Sequence, residues 1–371
     1  MKRIILFLLV FSSSLYLITP RANALETSAK SAVLINASTG SVLYSKNSDI
    51  RLPMASTTKI MTALLLAEQN TPDKEVKITY EMVAVEGSSM GLKVGDTVTY
   101  KDLLYGLMLP SGNDAANAVA ISLAGSLPKF AVLMNDKAAE LGLKNTNFVT
   151  PSGLDSNNHF TSAYDLAILA NHALKNEDFK KAASTKSITL TYTNPERKVT
   201  LTNHNKLLNL YEGTIGVKTG FTSTAGRCLV SAATKGNVTL VAVTLNDRND
   251  WDDHINMLNY GFSECTDFLL SPSLPEQISV AGSNGTFVKP IAEKFSIGIS
   301  RNDSITYSVN IPKFIYSPIK EGESIGKIFV YCNNEKIEEI DITAANAVNI
   351  SYKTNILRKI LAQFLCLLRS L

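Results

Sequence analysis

Cysteine is scarce in this chain. Four thiols in 371 residues exclude a disulfide-stapled scaffold. Cys228, Cys265, Cys332 and Cys366 are scattered, with no C-x-x-C and no histidine at metal-ligand spacing. An excess of one charge is also lacking. The formal net charge is only +3, and residues 1–24 contribute Lys2, Arg3 and Arg21 with no acid. The remainder is balanced, which excludes a globally basic nucleic-acid binder. Internal repeats and low-complexity tracts are missing. With 45% hydrophobic and 19% charged residues, the chain is too apolar for disorder and long enough for two domains.

The two ends are compositionally distinct. Residues 1–24 read as a secretory signal peptide: Lys2 and Arg3, an apolar run from Ile4 to Val10 continued to Ile18, Pro20, then Ala22-Asn23-Ala24. Residues 353–371 carry Lys353, Arg358, Lys359 and Arg369 and no acid. At about 100° per residue, Ile356, Leu357, Ile360, Leu361, Phe364, Leu365, Leu367, Leu368 and Leu371 share one half-turn. Such a helix is suited to lying in a membrane interface, and it is too short and charged to span one comfortably. Secretion and peripheral attachment to the outer face of the cytoplasmic membrane are the expected address.

Between the ends, the pattern predicts a hairpin over residues 30–50. Helices are expected near 56–69, 101–109, 113–124, 127–142, 162–175 and 251–269, with strands near 199–201, 215–218, 228–234 and 238–245. Strand, then helices, then strands suggests an antiparallel sheet covered by helices, an α/β (α+β) class without regular βαβ alternation. Ser271-Pro272-Ser273-Leu274-Pro275 reads as a linker. The short alternating runs beyond it read as a small all-β module. The expected divisions are 1–24, 25–270, 276–352 and 353–371.

Three short motifs carry chemistry. Ser56-Thr57-Thr58-Lys59 heads an apolar helix. Residues three apart share a helix face, so Ser56 and Lys59 can touch. A serine hydroxyl needs a neighbour to take its proton, and a lysine in a dry, cationic pocket can be that base. Ser111-Gly112-Asn113 lies in a turn between two helices, where a hydroxyl and an amide could relay a proton and hold a substrate carbonyl. Lys218-Thr219-Gly220 ends a strand, where Lys and Thr could hold a carboxylate and Gly would let a substrate backbone lie close. Taken singly, each has an ordinary reading: a capped helix, an N-cap and a strand end.

Together, S-x-x-K, S-G-N and K-T-G in this order resemble the signature of penicillin-binding proteins and class A β-lactamases. The segments MASTTKIMTALL (54–65), LPSGNDAAN (109–117), NFVTPSGLD (147–155) and GVKTGFTSTAG (216–226) are similar to those of serine-type D-alanyl-D-alanine carboxypeptidases. The resemblance covers nearly the whole chain. It implies a β-lactamase/penicillin-binding-protein-like fold, followed by a small all-β domain and an amphipathic anchor helix. It also implies a D-Ala-D-Ala carboxypeptidase acting on peptidoglycan stem peptides, covalently inhibited by β-lactam antibiotics, with no metal and no cofactor required. Catalytic roles fall on Ser56, Lys59, Ser111 and Asn113. Substrate binding falls on Lys218, Thr219, Gly220 and Phe221, with backbone N–H groups at Ser56 and Phe221 forming the oxyanion hole.

The departures are specific. Gly112 replaces the Asp usual in β-lactamases. The nearest match to their E-x-x-L-N segment, Glu140-Leu141-Gly142-Leu143-Lys144, fails at its last position. Phe221 stands where some members have His, and His204 where some have Arg. Arg248 is a candidate second carboxylate contact. The charged run Asp247, Arg248, Asp250, Asp252 and Asp253 around Trp251 reads as a solvated loop, not a metal site. None of His159, His172, His204 and His254 forms an identifiable Ser-His-Asp arrangement. The other classes are a β-lactamase or esterase on the same fold, expected to deacylate penicillin quickly, and an idle wall-binding scaffold, expected to tolerate loss of Ser56.

Overall fold

The computed structural model describes residues 25–350, apart from 195 and 284, together with 360, 361, 363 and 365. The signal-peptide reading therefore lies outside the described residues, as does most of the terminal helix. Ile360, Leu361, Gln363 and Leu365 are helical and exposed. Among the described residues, no single helix is long and apolar enough to cross a membrane.

The chain forms two compact units. One comprises residues 25–34, 44–231 and 242–260, the other residues 35–43, 232–241 and 261 onward. The central sheet is built from β1 (Ser31–Asn36), β2 (Val42–Lys46), β7 (Thr214–Thr222), β8 (Gly226–Lys235) and β9 (Val238–Leu245), in the order β2-β1-β9-β8-β7. Turns of a few residues join β1 to β2, β7 to β8 and β8 to β9, so these pairs run antiparallel. Strand β7 is therefore an edge, and its outer side is free to meet other groups. Two further hairpin-like pairs are β3 (Glu75–Lys77) with β4 (Thr97–Thr99), and β5 (Ser187–Tyr192) with β6 (Arg197–Thr202).

Helix α1 (Lys59–Ala67) is the hub of the first unit. Apart from Lys59 and Thr62 its sequence is apolar, and all nine residues are buried, as an apolar helix requires. The short α2 (Tyr80–Val83) precedes α3 (Tyr100–Met108), α4 (Asn113–Ala124), α5 (Leu127–Glu140), α6 (Ala163–Ala173) and α7 (Glu177–Ser184). Helix α1 packs against α3, α4, α5, α6, α7 and β7. The helix starts are fixed locally: Thr99 and Asp102 form a capping box on α3, and Ser126, Ser162 and Asn176 cap α5, α6 and α7. After α8 (Leu207–Leu210) come the three strands β7, β8 and β9, then α9 (Asp250–Glu264).

The helix expected over 251–269 ends at Glu264. Cys265–Leu270 is instead strand β10, paired antiparallel with β14 (Phe295–Ser300) from Cys265↔Ser300 to Leu270↔Phe295. Residues 271–275 have no regular structure. The β-rich remainder holds β11 (Ile278–Ala281), β12 (Phe287–Val288), β13 (Pro290–Ala292), β15 (Ile305–Asn310), β16 (Phe314–Tyr316), β17 (Ser324–Cys332) and β18 (Glu335–Ala344). They form sheets in the orders β12-β11-β16 and β13-β18-β17-β15. Alternate residues point inward, and Ile278, Val280, Val288, Ile328, Val330 and Ile342 make one core.

Candidate active site

Ser56 sits in a 3-10 turn, Ala55–Thr58, just before α1 begins at Lys59. The turn is held by side chains. Thr57 Oγ1 donates to Met54 O at 2.6 Å and Thr58 Oγ1 to Ala55 O at 2.8 Å. Beneath it lies His159. Its Nδ1 accepts from Val149 N at 2.9 Å, so its Nε2 carries the hydrogen and faces Thr58 Oγ1 at 2.8 Å. Burial pushes this imidazole down to about 4, and it serves as a neutral brace for the turn.

Lys59 is fully buried. Its Nζ donates to Ser56 Oγ at 2.9 Å, Asn113 Oδ1 at 2.7 Å and Ser152 O at 2.7 Å. Burial is the largest influence holding its pKa well below the ordinary lysine value. The charge of Lys218 adds to the depression, while Asp114 opposes it. Asn113 is itself fixed, its Nδ2 donating to Glu86 O at 2.7 Å and its backbone N to Ser88 O at 2.7 Å. Ser111 stands in the left-handed region at φ 62°. Its Oγ is buried and, among the described residues, has no hydrogen-bond partner.

Strand β7 supplies the third motif. Lys218 is buried, donates to Thr219 O at 3.0 Å, and is pushed by burial to about 7. The glycine of this motif has a different use from the one expected. A Cβ on Gly220 would lie 3.0 Å from Ser56 N and 3.1 Å from Met54 O. The missing side chain lets β7 approach the backbone of the Ser56 turn. Phe221, next along the strand, is 68% exposed at the lip.

These elements enclose a cleft of about 370 Å³ lined by Ser56, Ser111, Thr219, Gly220 and Phe221, with Ser88 on one side. Lys59, Asn113 and Lys218 lie behind this lining. The wall continues through His204 and Lys206 to Arg227, Asp250 and Trp251. His204 is exposed there. Burial, then the charge of Lys218, lowers its pKa, which favours the neutral ring. Arg248 is exposed and does not line the cleft; Arg227 does.

The charged run near Trp251 is also not a simple solvated loop. Asp247, Asp250 and Asp253 are buried. Asp247 accepts from Ser28 Oγ and Asp253 from the Ser28 backbone N–H, each at 2.6 Å, and Asp250 holds Arg227. Glu140 ends α5, exposed and paired with Lys137, and it does not line the cleft. His254 is buried between Ser231 and Thr244.

Sequence reasoning missed Ser152, which acts through a backbone carbonyl. It also missed Asp114, which gathers Ser89 Oγ and the N–H groups of Met90 and Leu92. Arg227 and Trp251 had no motif to mark them as a pair.

A buried lysine on a serine, beside an edge strand that carries K-T-G within it and continues to Thr222, defines an acyl-transfer site of the penicillin-interacting serine class. Residues 18–249 match the family described as D-alanyl-D-alanine carboxypeptidase, and residues 277–349 match the penicillin-binding protein 5 C-terminal domain. The chain belongs to the D-alanyl-D-alanine carboxypeptidase family, serine hydrolases that remove the terminal D-Ala of peptidoglycan stem peptides and bind β-lactams.

Among its relatives is the Bacillus subtilis D-alanyl-D-alanine carboxypeptidase DacF, 37% identical over 341 residues, 87% of each chain. The Escherichia coli DacC carboxypeptidase is 33% identical over 90% of this chain and 87% of its own. The Streptomyces K15 DD-transpeptidase structure is 37% identical, with a TM-score of 0.62 over 64% of this chain and 98% of its own. DacD from Francisella tularensis is 25% identical, with a TM-score of 0.64 over 90% of this chain and 97% of its own.

Proposed function

We propose that this chain removes the terminal D-Ala from stem peptides through an acyl-enzyme on Ser56, with Lys59 as the base. The observation that carries the reading is the environment of Lys59 Nζ. Asn113 Oδ1 and Ser152 O can only accept, so they occupy two N–H groups in either charge state. The third position faces Ser56 Oγ. In the ammonium form it is an N–H; in the neutral amine it is a lone pair that receives the serine proton. Burial and Lys218 both favour the neutral form.

Ser56 Oγ attacks the penultimate D-Ala carbonyl as its proton moves to Lys59. The N–H groups of Ser56 and Phe221 stabilise the oxyanion. The proton then passes from Lys59 by way of the Ser111 hydroxyl to the leaving amine, which returns Lys59 to its neutral form, while Lys218 and Thr219 hold the terminal carboxylate. Water then hydrolyses the ester, with Lys59 again taking the proton. β-Lactams enter the same path and stop at the acyl-enzyme. Residues 1–24 direct the enzyme outside the cytoplasm, and residues 353–371 attach it to the membrane surface through their apolar half-face and four cations.

Labelled penicillin should attach to Ser56 in peptide maps and persist for many turnovers of the peptide substrate. Label on another residue overturns the assignment. The same label followed through cell fractionation reads the address. A form lacking residues 353–371 should leave the washed membranes still acylated, and continued sedimentation of that form would place the anchor elsewhere.

A further inference from the structure

The sheet β12-β11-β16 of the β-rich unit is apolar on both faces. Inward, Ile278, Val280, Val288 and Ile315 belong to the core. Outward, Phe287 of β12 stands opposite Ser279 of β11, Ser279 is in turn opposite Phe314 of β16, and Ala281 is opposite Tyr316. Phe287, Phe314 and Tyr316 are 44%, 52% and 72% exposed, which leaves three large apolar rings in water. The middle strand offers only Ser279 and Ala281 to this face, so the rings flank a low strip. Phe314 and Tyr316 lie edge to face, with ring centroids 5.6 Å apart. The solvent face of a sheet ordinarily carries polar side chains, and a cluster of exposed aromatics marks a contact surface.

The end of the chain runs beside this face. Ala345 N donates to Lys289 O at 2.9 Å and Asn346 Nδ2 to Phe287 O at 3.1 Å, next to β12. Val348 then exchanges two backbone hydrogen bonds of 2.9 Å with Ile319, three residues past Tyr316 of β16. Five chain steps separate Val348 from the basic, apolar segment that begins at residue 353, a reach of at most about 17 Å. Where that segment is described it is not seated on the sheet, since Ile360, Leu361 and Leu365 are themselves exposed. Within two residues of the three rings in sequence stand Lys289 and Lys313, both exposed, and no acid. Aromatic rings and lysines suit the headgroup level of an anionic membrane.

We propose that the aromatic face formed by Phe287, Phe314 and Tyr316 docks on the lipid surface, so that the β-rich unit lies against the membrane beside the terminal segment instead of hanging from it on a free tether. The inference rests on the reading of residues 353–371 as a membrane attachment. The face is a second contact, made by the folded unit itself.

The test uses the chain from residue 25 to 371 and vesicles of equimolar phosphatidylglycerol and phosphatidylethanolamine. Combining Phe287→Ser, Phe314→Ser and Tyr316→Ser should weaken vesicle binding by about tenfold or more, while penicillin labelling of Ser56 is unchanged. Contact is read directly in Phe314→Trp. Its added emission, over that of Trp251 in the wild type, should shift to the blue with vesicles and be quenched by brominated lipid. Unchanged binding of the triple variant, or a Phe314→Trp signal indifferent to vesicles, overturns the proposal. So does a signal already blue without vesicles that reddens when residues 353–371 are removed, which would seat the tail on the face. A response to purified peptidoglycan but not to vesicles overturns it in favour of a wall-binding surface. If the triple variant does not fold, the Phe314→Trp signal decides. The attachment reading fails separately: a form lacking residues 353–371 that binds vesicles as tightly as the full chain refutes it, and loss of that binding on adding the triple substitution would still support the face.

Discussion

Lys59 and Lys218 are both fully buried, and their different surroundings divide their labour. Lys59 is depressed by burial and then by its neighbour's charge, whereas Lys218 is depressed by burial alone, to about 7. The proposed base must be neutral and the proposed anion holder must be charged. Acylation by a carboxylate-bearing substrate should therefore rise with pH as Lys59 loses its proton, and fall again as Lys218 loses its own. Lys218→Arg keeps the charge at every pH. Its rate should be lower at the optimum, because the guanidinium is bulkier, but the fall above about pH 7 should disappear. A descending limb left in place by this variant, measured as kcat/KM against pH, would show that another group causes it. The three motifs were legible because each joins its partners within a few residues. Ser152 was not, since any residue type can offer a carbonyl. Gly220 was legible as a glycine that permits close approach, but the approaching group is the Ser56 backbone.

At the scale of elements, local pattern served helices better than strands. Helices α3, α4, α5 and α6 lie within a few residues of their periodic signals, and Thr99, Ser126 and Ser162 cap three of them. Helix α9 was drawn too long because Phe262, Cys265, Phe268 and Leu269 continue a helical spacing. Pairing of β10 with β14, thirty residues away, overrides it. The β5–β6 pair was half seen: Ser187–Tyr192 mixes threonines with apolar residues and has no flanking turn glycine.

The turn carrying Ser56 depends on another element that the sequence could not connect to it. Gly153 has φ 87°, and a Cβ there would fall 1.9 Å from Ala55 O and 2.8 Å from Thr58 Oγ1. Gly153→Ala must displace either its own loop or the nucleophile turn, and Ser152 O leaves Lys59 in the first case. The left-handed φ alone costs about 1–2 kcal/mol for a residue with a Cβ. Denaturant unfolding should show at least that loss, and penicillin acylation should slow by more than tenfold. Wild-type acylation in a folded Gly153→Ala protein would mean that the loop and turn are not coupled.

The larger of the two compact units is fastened by buried polar side chains that do not line the cleft. His254 on α9 joins Ser231 of β8 at 2.6 Å and Thr244 of β9 at 3.0 Å, so one imidazole fastens a helix to two strands. Burial pushes it down to about 3, against a small opposing effect of Asp247. His159, under the nucleophile turn, is pushed to about 4. Both must stay neutral in the folded protein, while the unfolded chain takes up their protons near pH 6.5. Below that pH the unfolded state binds more protons than the folded one, so stability falls as pH falls. Each group removes about 1.4 kcal/mol per pH unit until its folded pKa is reached. Above about pH 6.5 neither contributes a slope. The urea midpoint should therefore be flat in this respect from pH 8 to 7 and drop between pH 6 and 4.5. His254→Gln retains a donor and an acceptor but does not titrate. It should be less stable at pH 7.5, where its imperfect fit is felt, and should lose less stability on acidification than the wild type. Taking the difference between the two proteins cancels every other titrating group. Parallel stability curves for wild type and His254→Gln across pH 7.5 to 4.5 would show that His254 is not held neutral by the fold.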